Sequence, residues 1–85
     1  MKFKIKFPDE LLNMHYDDDT LIMCYFEDKP SGYITFCLDT EIWKFSENIF
    51  GEILYESDNL IKLIFDLFKE SLCDEVEIIN FSNTI

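Results

Sequence analysis

Three consecutive carboxylates, Asp17, Asp18 and Asp19, form the densest group of metal-ligating side chains in the sequence. Carboxylate oxygens are the ligands that Ca²⁺ prefers, but an EF-hand loop places its ligands at alternate positions, with glycine sixth and glutamate twelfth. Counted from Asp17, those two positions hold Ile22 and Asp28. We therefore predict no specific metal site and interpret the three aspartates as an exposed acidic loop.

A second arrangement of carboxylates and lysine has the literal form of a metal-dependent nuclease motif. Pro8-Asp9 is followed by Glu27-Asp28-Lys29, which matches the PD-(D/E)xK pattern, in which carboxylates hold a metal ion and the lysine assists the attacking water. However, Lys29 directly precedes Pro30 in a turn-forming segment, and a chain of net charge -11 repels a nucleic-acid backbone. We interpret these residues as polar groups of turns and strand ends.

No other catalytic or cofactor-binding pattern is present in the sequence. His15 is the only histidine, and no serine or cysteine lies in a nucleophile-elbow motif. With only Gly32 and Gly51, the chain cannot form a glycine-rich phosphate loop. A small enzyme of another type needs a concave site, which 85 residues can barely enclose. We predict a protein that is not an enzyme and has no cofactor.

The charge of the chain restricts its partners. Eighteen acidic residues face seven lysines, and there is no arginine, the residue most used to contact phosphate and guanine. Direct nucleic-acid binding is therefore not expected. The hydrophobic fraction of 48% is sufficient for a core, and the length fits a single domain over residues 1–85.

The cysteines and the amino-terminal sequence indicate a cytoplasmic location. Cys24, Cys37 and Cys73 have neither an even count nor the spacing of a disulfide framework or a zinc site. Lysines interrupt the apolar residues at the amino terminus, which excludes the unbroken apolar run of a signal peptide. No stretch approaches the roughly 18 apolar residues of a membrane span.

Alternation of apolar and polar residues predicts strands at Lys2–Phe7, Leu21–Glu27 and Tyr33–Asp39. The last two form a hairpin if residues 29–32 make its loop. Cys24 then lies opposite Cys37, where a cross-strand disulfide is geometrically possible although a reducing compartment disfavours it. On the other side of the same hairpin, six residues are predicted to face the core: Leu21, Met23, Tyr25, Ile34, Phe36 and Leu38.

Apolar residues recur at helical spacing over Asn59–Leu72, after a potential N-cap at Ser57 or Asp58. Further strands are predicted at Glu41–Phe45 and Glu75–Phe81, whereas residues 49–55 fit a strand or a loop equally well. We predict an α+β fold, in which a small antiparallel sheet of four to five strands with a central hairpin packs against one main helix in the C-terminal half. The apolar face of this helix is wider than a small sheet covers, which leaves part of it for another segment or a second chain.

The acidic residues gather at the ends of the predicted strands and form two rims. The first combines residues 17–19 with the turn that follows the hairpin, and the second contains Glu27 and Asp28. We predict that the first rim binds a partner, with an adjacent aromatic residue as anchor. The predicted partner-binding residues are Asp17, Asp18, Asp19, Asp39, Glu41 and Tyr16.

A small acidic domain without catalytic motifs is suited to occlude a basic site on another protein, because opposite fields accelerate encounter and carboxylates can stand where phosphates bind. In size and charge alone, the chain resembles immunity proteins of bacterial nuclease toxins and phage-encoded DNA-mimic inhibitors of nucleases and CRISPR effectors. The expected partner is therefore a basic protein, such as a nuclease or another nucleic-acid-binding effector. The alternative is a structural or assembly module that homodimerises through its apolar helix, with the charge serving solubility.

Overall fold

The computed structural model describes residues 1–8, 17–18, 20–48 and 51–80, which form one sheet and one helix. The sheet has the strand order β5-β4-β3-β2-β1-β6, and α1 lies between β5 and β6 in the chain. This arrangement confirms the predicted α+β class. The elements are β1 (Lys2–Phe7), β2 (Leu21–Phe26), β3 (Lys29–Cys37), β4 (Ile42–Ser46), β5 (Ile53–Ser57), α1 (Leu60–Ser71) and β6 (Glu75–Asn80).

The sheet is mixed, so the prediction of an antiparallel sheet with four to five strands is wrong in direction and in count. Strands β1 to β5 pair antiparallel with their neighbours, but β6 pairs parallel to β1. Because β5 and β6 lie at opposite edges, α1 connects one edge to the other. The C-terminal strand thereby places β1 in the sheet interior.

The core lies between α1 and one face of the sheet. Ile5, Ile22 and Ile34 are fully buried at neighbouring positions of β1, β2 and β3. The helix contributes its own buried residues, which are spaced by one and three along the chain because the helix repeats every 3.6 residues. These helical residues are Leu63, Ile64 and Leu67.

Helix α1 begins at Asn59, whose side chain accepts a hydrogen bond from the backbone N–H of Lys62 at 3.1 Å. This N-cap lies one residue after the predicted alternatives, because Ser57 instead accepts a bond from the Asn59 N–H. The helix ends at Leu72, which adopts the left-handed conformation with φ 60°. Among the described residues, no helix combines the length and the apolar character needed to span a lipid bilayer.

The hairpin of β2 and β3 forms in a register different from the predicted one. Leu21 pairs with Thr35 and Cys24 pairs with Gly32, and the turn consists of Glu27 and Asp28 rather than residues 29–32. Side chains of β2 are therefore reversed: Ile22 and Cys24 face the core. The residues wrongly predicted for the core are Leu21, Met23 and Tyr25 on the opposite face and Leu38 in an exposed turn, whereas Ile34 and Phe36 are buried as predicted.

The register change has a structural cause in β3. The pairing shifts by one residue between Cys24 and Tyr25, which leaves Ser31 without a partner on β2 and makes it a β-bulge. Pro30 is tolerated in the strand beside such a bulge. Gly32 follows the bulge residue, and glycine is required at this position because a Cβ would lie 2.5 Å from two ring atoms of Phe45.

All three cysteines are free thiols, and the predicted alignment of Cys24 with Cys37 is wrong. Cys24 faces the core opposite Gly32, whereas Cys37 lies at the end of β3 opposite Ile42. The two side chains therefore point to opposite faces of the sheet, and no disulfide can join them.

Candidate functional site

The two ends of the sheet differ in how their carboxylates are compensated. At the end where β1 and β6 begin and β2 turns into β3, here called the Asp28 end, cations contact several of the acidic residues, although Glu47 and Glu52 in the turn between β4 and β5 form no ion pair with described residues. Lys4 Nζ lies 2.8 Å from the Asp28 carboxylate, and the amino group of Met1 lies 2.8 Å from Asp74. Hydrogen bonding from Lys4 lowers the pKa of Asp28. The second predicted rim is thus largely neutralised within the chain.

Five carboxylates lie at the opposite end of the sheet. We call it the acidic end and define it by Asp17, Asp18, Asp39, Glu41 and Asp58, which lie in the segments before β2, between β3 and β4, and between β5 and α1. Within the part of the chain that the structure describes, the last four of these form no ion pair. Their charge is therefore available to a partner.

Backbone hydrogen bonds hold the acidic end together. Asp18 Oδ1 accepts a hydrogen bond from the backbone N–H of Leu38 at 2.7 Å, which joins the segment before β2 to the turn after β3. The Asp17 N–H donates to the hydroxyl of Thr20, a residue that is itself buried. The aspartates are thus fixed to the scaffold rather than carried on an unattached loop.

The turn from Cys37 to Glu41 presents two of the carboxylates. The Glu41 N–H donates to the Cys37 carbonyl at 2.7 Å, and Glu41 adopts φ 56°, which is uncommon for a residue with a side chain. This closed turn directs the chain from β3 into β4 and leaves Asp39 and Glu41 exposed. A left-handed backbone costs a residue with a side chain of the order of 1 kcal/mol, and Glu27 in the turn at the other end of the sheet has the same conformation, with φ 58°.

A groove of about 460 Å³ lies beside this turn. Its polar walls include Glu41 and Asp58, and two aromatic residues, Phe36 and Trp43, contribute to its lining with ring centroids 4.6 Å apart. Both rings are only 5% exposed and belong to the core, so the carboxylates of the groove are the groups that a basic side chain can reach and pair with. The acidic end therefore combines exposed charge with a shaped recess.

Four of the six predicted binding residues, Asp17, Asp18, Asp39 and Glu41, lie together at the acidic end. Tyr16 and Asp19, also predicted, fall outside the described residues. Sequence reasoning did not select Asp58, which reaches the site only because β5 pairs with β4 and brings the start of α1 beside Glu41. Asp58 could have been selected only if residues 49–55 had been assigned to a strand, but their sequence fits a strand and a loop equally well.

The seven lysines lie within the strands and the helix rather than in the turns of this end. Four of the seven occupy the sheet face opposite α1, where Lys4 and Lys6 on β1 and Lys44 on β4 alternate with core residues. The fourth is Lys2, which lies 3.7 Å from Glu77 of β6. The excess negative charge is therefore unevenly distributed over the surface, and the acidic end holds an uncompensated part of it.

The described residues contain no group of three or more histidine, cysteine, aspartate or glutamate side chains that could hold a metal ion. Comparison with protein families, with characterised proteins and with solved structures gives no match. Function is therefore inferred from the residues of this chain alone.

Cys37 borders the acidic end, so the reaction of its thiol with an added reagent should measure how accessible this end is to solvent. Hydrogen bonding from Thr40 lowers the pKa of the Cys37 thiol, whereas burial raises the pKa of Cys24 to about 12. Because the thiolate is the reactive form, we expect iodoacetamide to modify Cys37 first in the folded protein near pH 8. Mass spectrometry of digested samples measures this order. Equal labelling of Cys24 without denaturant would contradict the buried position of that side chain.

Proposed function

We propose that this protein is a non-catalytic inhibitor whose acidic end occludes a basic, nucleic-acid-binding site on a partner protein. The observation that supports the proposal most is the difference between the two sheet ends. Glu27, Asp28 and Asp74 at the Asp28 end are paired with Lys4 or the amino terminus, whereas none of the four carboxylates Asp18, Asp39, Glu41 and Asp58 forms an ion pair with other described residues. Charge left uncompensated on an ordered surface favours encounter with an oppositely charged partner.

The groove beside the turn suggests how contact is made. A lysine or arginine of the partner enters between Glu41 and Asp58 and pairs with their carboxylates, while Asp18 and Asp39 contact neighbouring cations. Carboxylates in these positions occupy the sites where nucleic-acid phosphates would bind. Inhibition then follows from competition, without chemistry on the partner.

The proposal is tested by capturing partners and measuring competition. Tagged protein is incubated with bacterial lysate at about 50 mM salt and eluted by a salt step, because contacts between opposite charges weaken as ionic strength rises. We expect a basic nucleic-acid-binding protein in the eluate, and we expect the added inhibitor to release a fluorescent DNA duplex from that protein. Binding that leaves the duplex in place would refute occlusion.

A second candidate function, an assembly module, is favoured by one observation. The apolar residues Ile61, Phe65 and Leu72 of the helical segment are exposed, although their chemistry suits a buried interface. Salt separates the two candidates. Binding of a basic partner weakens as salt rises, whereas association between two copies of charge -11 strengthens, because screening reduces their mutual repulsion.

A further inference from the structure

Strand β6 forms an edge of the sheet that no other described strand pairs with, and this edge is apolar. It pairs with β1 on one side only, since it is the last strand in the sheet order. The parallel register sets Val76 beside Phe3 and Ile78 beside Ile5, so both side chains point to the core face. Yet Val76 is 44% exposed and Ile78 59%, although Phe3 and Ile5 beside them are buried. The described elements of the domain do not cover the core face at this edge.

One further exposed apolar side chain precedes this edge strand. Leu72, the left-handed C-cap of α1, lies three residues before β6 and is 86% exposed. An uncovered apolar residue therefore also lies near the start of β6.

We propose that β6 forms an interface with a second copy of the same chain, in which the two β6 strands pair antiparallel across a two-fold axis. A strand can pair antiparallel with its own copy about such an axis, and the resulting interface is isologous. With the axis perpendicular to the sheet, both helices lie on the same face. The result is one continuous sheet of twelve strands, in which the four side chains of Val76 and Ile78 meet on the face that carries the helices.

One register suits the side chains best. If Ile78 lies opposite Ile78 of the second copy, Glu77 lies opposite Ile79 of that copy rather than opposite another glutamate. Like charges directly opposite each other destabilise a strand pair, so a register centred on Glu77 is disfavoured. On the outer face Glu77 also lies within 3.7 Å of the Lys2 ammonium group, which offsets part of its charge.

The exposed area fits a weak dimer. Leu72, Val76 and Ile78 together present on the order of 300 Å², compared with about 800 Å² per partner in a standard interface. Pairing of the open strand edge adds backbone contacts to this area. A monomer with such a patch on an uncovered edge strand is prone to associate through it.

The dimer is separate from the proposed inhibitory surface. The acidic end lies across β2 to β5, whereas β6 occupies the far edge beyond β1. Two copies joined at β6 would present two acidic ends, so a dimer could bind two partner molecules. Failure of self-association would leave the occlusion proposal unaffected, and the reverse also holds.

Sedimentation of the wild type and of Ile78→Lys tests the inference. We expect the wild type to be largely dimeric at about 0.1 mM, a concentration at which a micromolar Kd suffices, and we expect the dimer to tighten as salt rises from about 50 to 500 mM. Ile78→Lys should raise the dimer Kd by at least about tenfold, because it places a charged group on each side of the two-fold axis. Circular dichroism verifies that this variant, altered at an exposed position, remains folded.

The matched control is Ile53→Lys on β5, the strand at the opposite edge of the sheet. It changes the same residue type, adds the same charge and alters a side chain that is 43% exposed. Its dimer Kd should equal that of the wild type. Dilution of the wild type should also accelerate amide hydrogen exchange in β6. A wild type that is monomeric at every concentration and salt overturns the inference, as does a dimer that Ile53→Lys dissociates and Ile78→Lys does not.

Discussion

Converting the four carboxylates that form no ion pair at the acidic end into amides is expected to weaken binding of the basic partner by about a hundredfold. This loss corresponds to about 2.7 kcal/mol, or somewhat under 1 kcal/mol for each exposed contact. The amides keep the size of each side chain and its ability to accept hydrogen bonds. The changes are Asp18→Asn, Asp39→Asn, Glu41→Gln and Asp58→Asn, and calorimetry with the captured partner measures their effect.

The control removes the same charge elsewhere on the domain. It carries Glu47→Gln, Glu52→Gln, Asp66→Asn and Glu70→Gln, none of which alters a described ion pair. We expect this variant to lose less than about fivefold in affinity, since only long-range attraction is reduced. Equal losses in the two variants would show that net charge, and not the acidic end, determines binding.

Asp18 requires a separate comparison because it also has a structural contact. Its Oδ1 accepts the hydrogen bond from the Leu38 N–H. Asp18→Asn retains an acceptor at this position, whereas Asp18→Ala removes it. A difference in unfolding free energy between the two variants measures the hydrogen bond, about 1 kcal/mol, while a shared loss of affinity measures the charge.

Gly32→Ala is expected to destabilise the fold by about 2 to 3 kcal/mol, enough to lower Tm by about 10 °C or more in a domain of this size. The added Cβ would lie 2.5 Å from two ring atoms of Phe45 and 2.7 Å from the Ser46 carbonyl oxygen. Phe45 is buried and packs 6.2 Å from Tyr55, measured between ring centroids, so its ring has little room to move. Urea denaturation followed by circular dichroism measures the change.

Two further variants show whether the contact with Phe45 is the cause. Gly51→Ala is the matched control, because its Cβ would approach Asn48 no closer than 3.1 Å, and we expect a change below about 1 kcal/mol. Combining Gly32→Ala with Phe45→Leu should cost less than the sum of the two single changes, since the smaller side chain makes space. Strict additivity would mean that the backbone of Ser46, and not the Phe45 ring, opposes the new methyl group.

Local patterns predicted several elements correctly, and the hairpin shows where such patterns fail. The alternation that predicted β1 and the apolar spacing that predicted α1 both express burial of one face, which the structure confirms. The segment from Asp28 to Gly32 resembles a loop because proline and glycine interrupt strands. Here a bulge accommodates Pro30, and Gly32 serves packing against Phe45. Because this segment was interpreted as a loop, the prediction exchanged the two faces of β2.

The direction of β6 could not be predicted from its own residues. Alternation over Glu75–Asn80 fits an antiparallel edge and a parallel edge equally well, and the choice depends on where α1 delivers the chain. The acidic end shows the same limit. The proximity of Asp18 to the turn at Glu41 could be predicted, because both lie at the same end of the hairpin. The position of Asp58 could not, because it depends on the pairing of β4 with β5. The partner-binding role of these residues stays a prediction.

Pairing of β1 with β6 has a consequence for the time course of folding. Met1 and Asp74 form a hydrogen bond although 73 residues separate them, so an interior strand of the sheet receives its second neighbour from the other end of the sequence. Such distant contacts slow folding, because the chain loses much entropy before they form. On the ribosome, one side of β1 remains without its neighbour until α1 and β6 have been synthesised. During that interval the unpaired side of β1 is a place where the nascent chain can pair with a wrong strand.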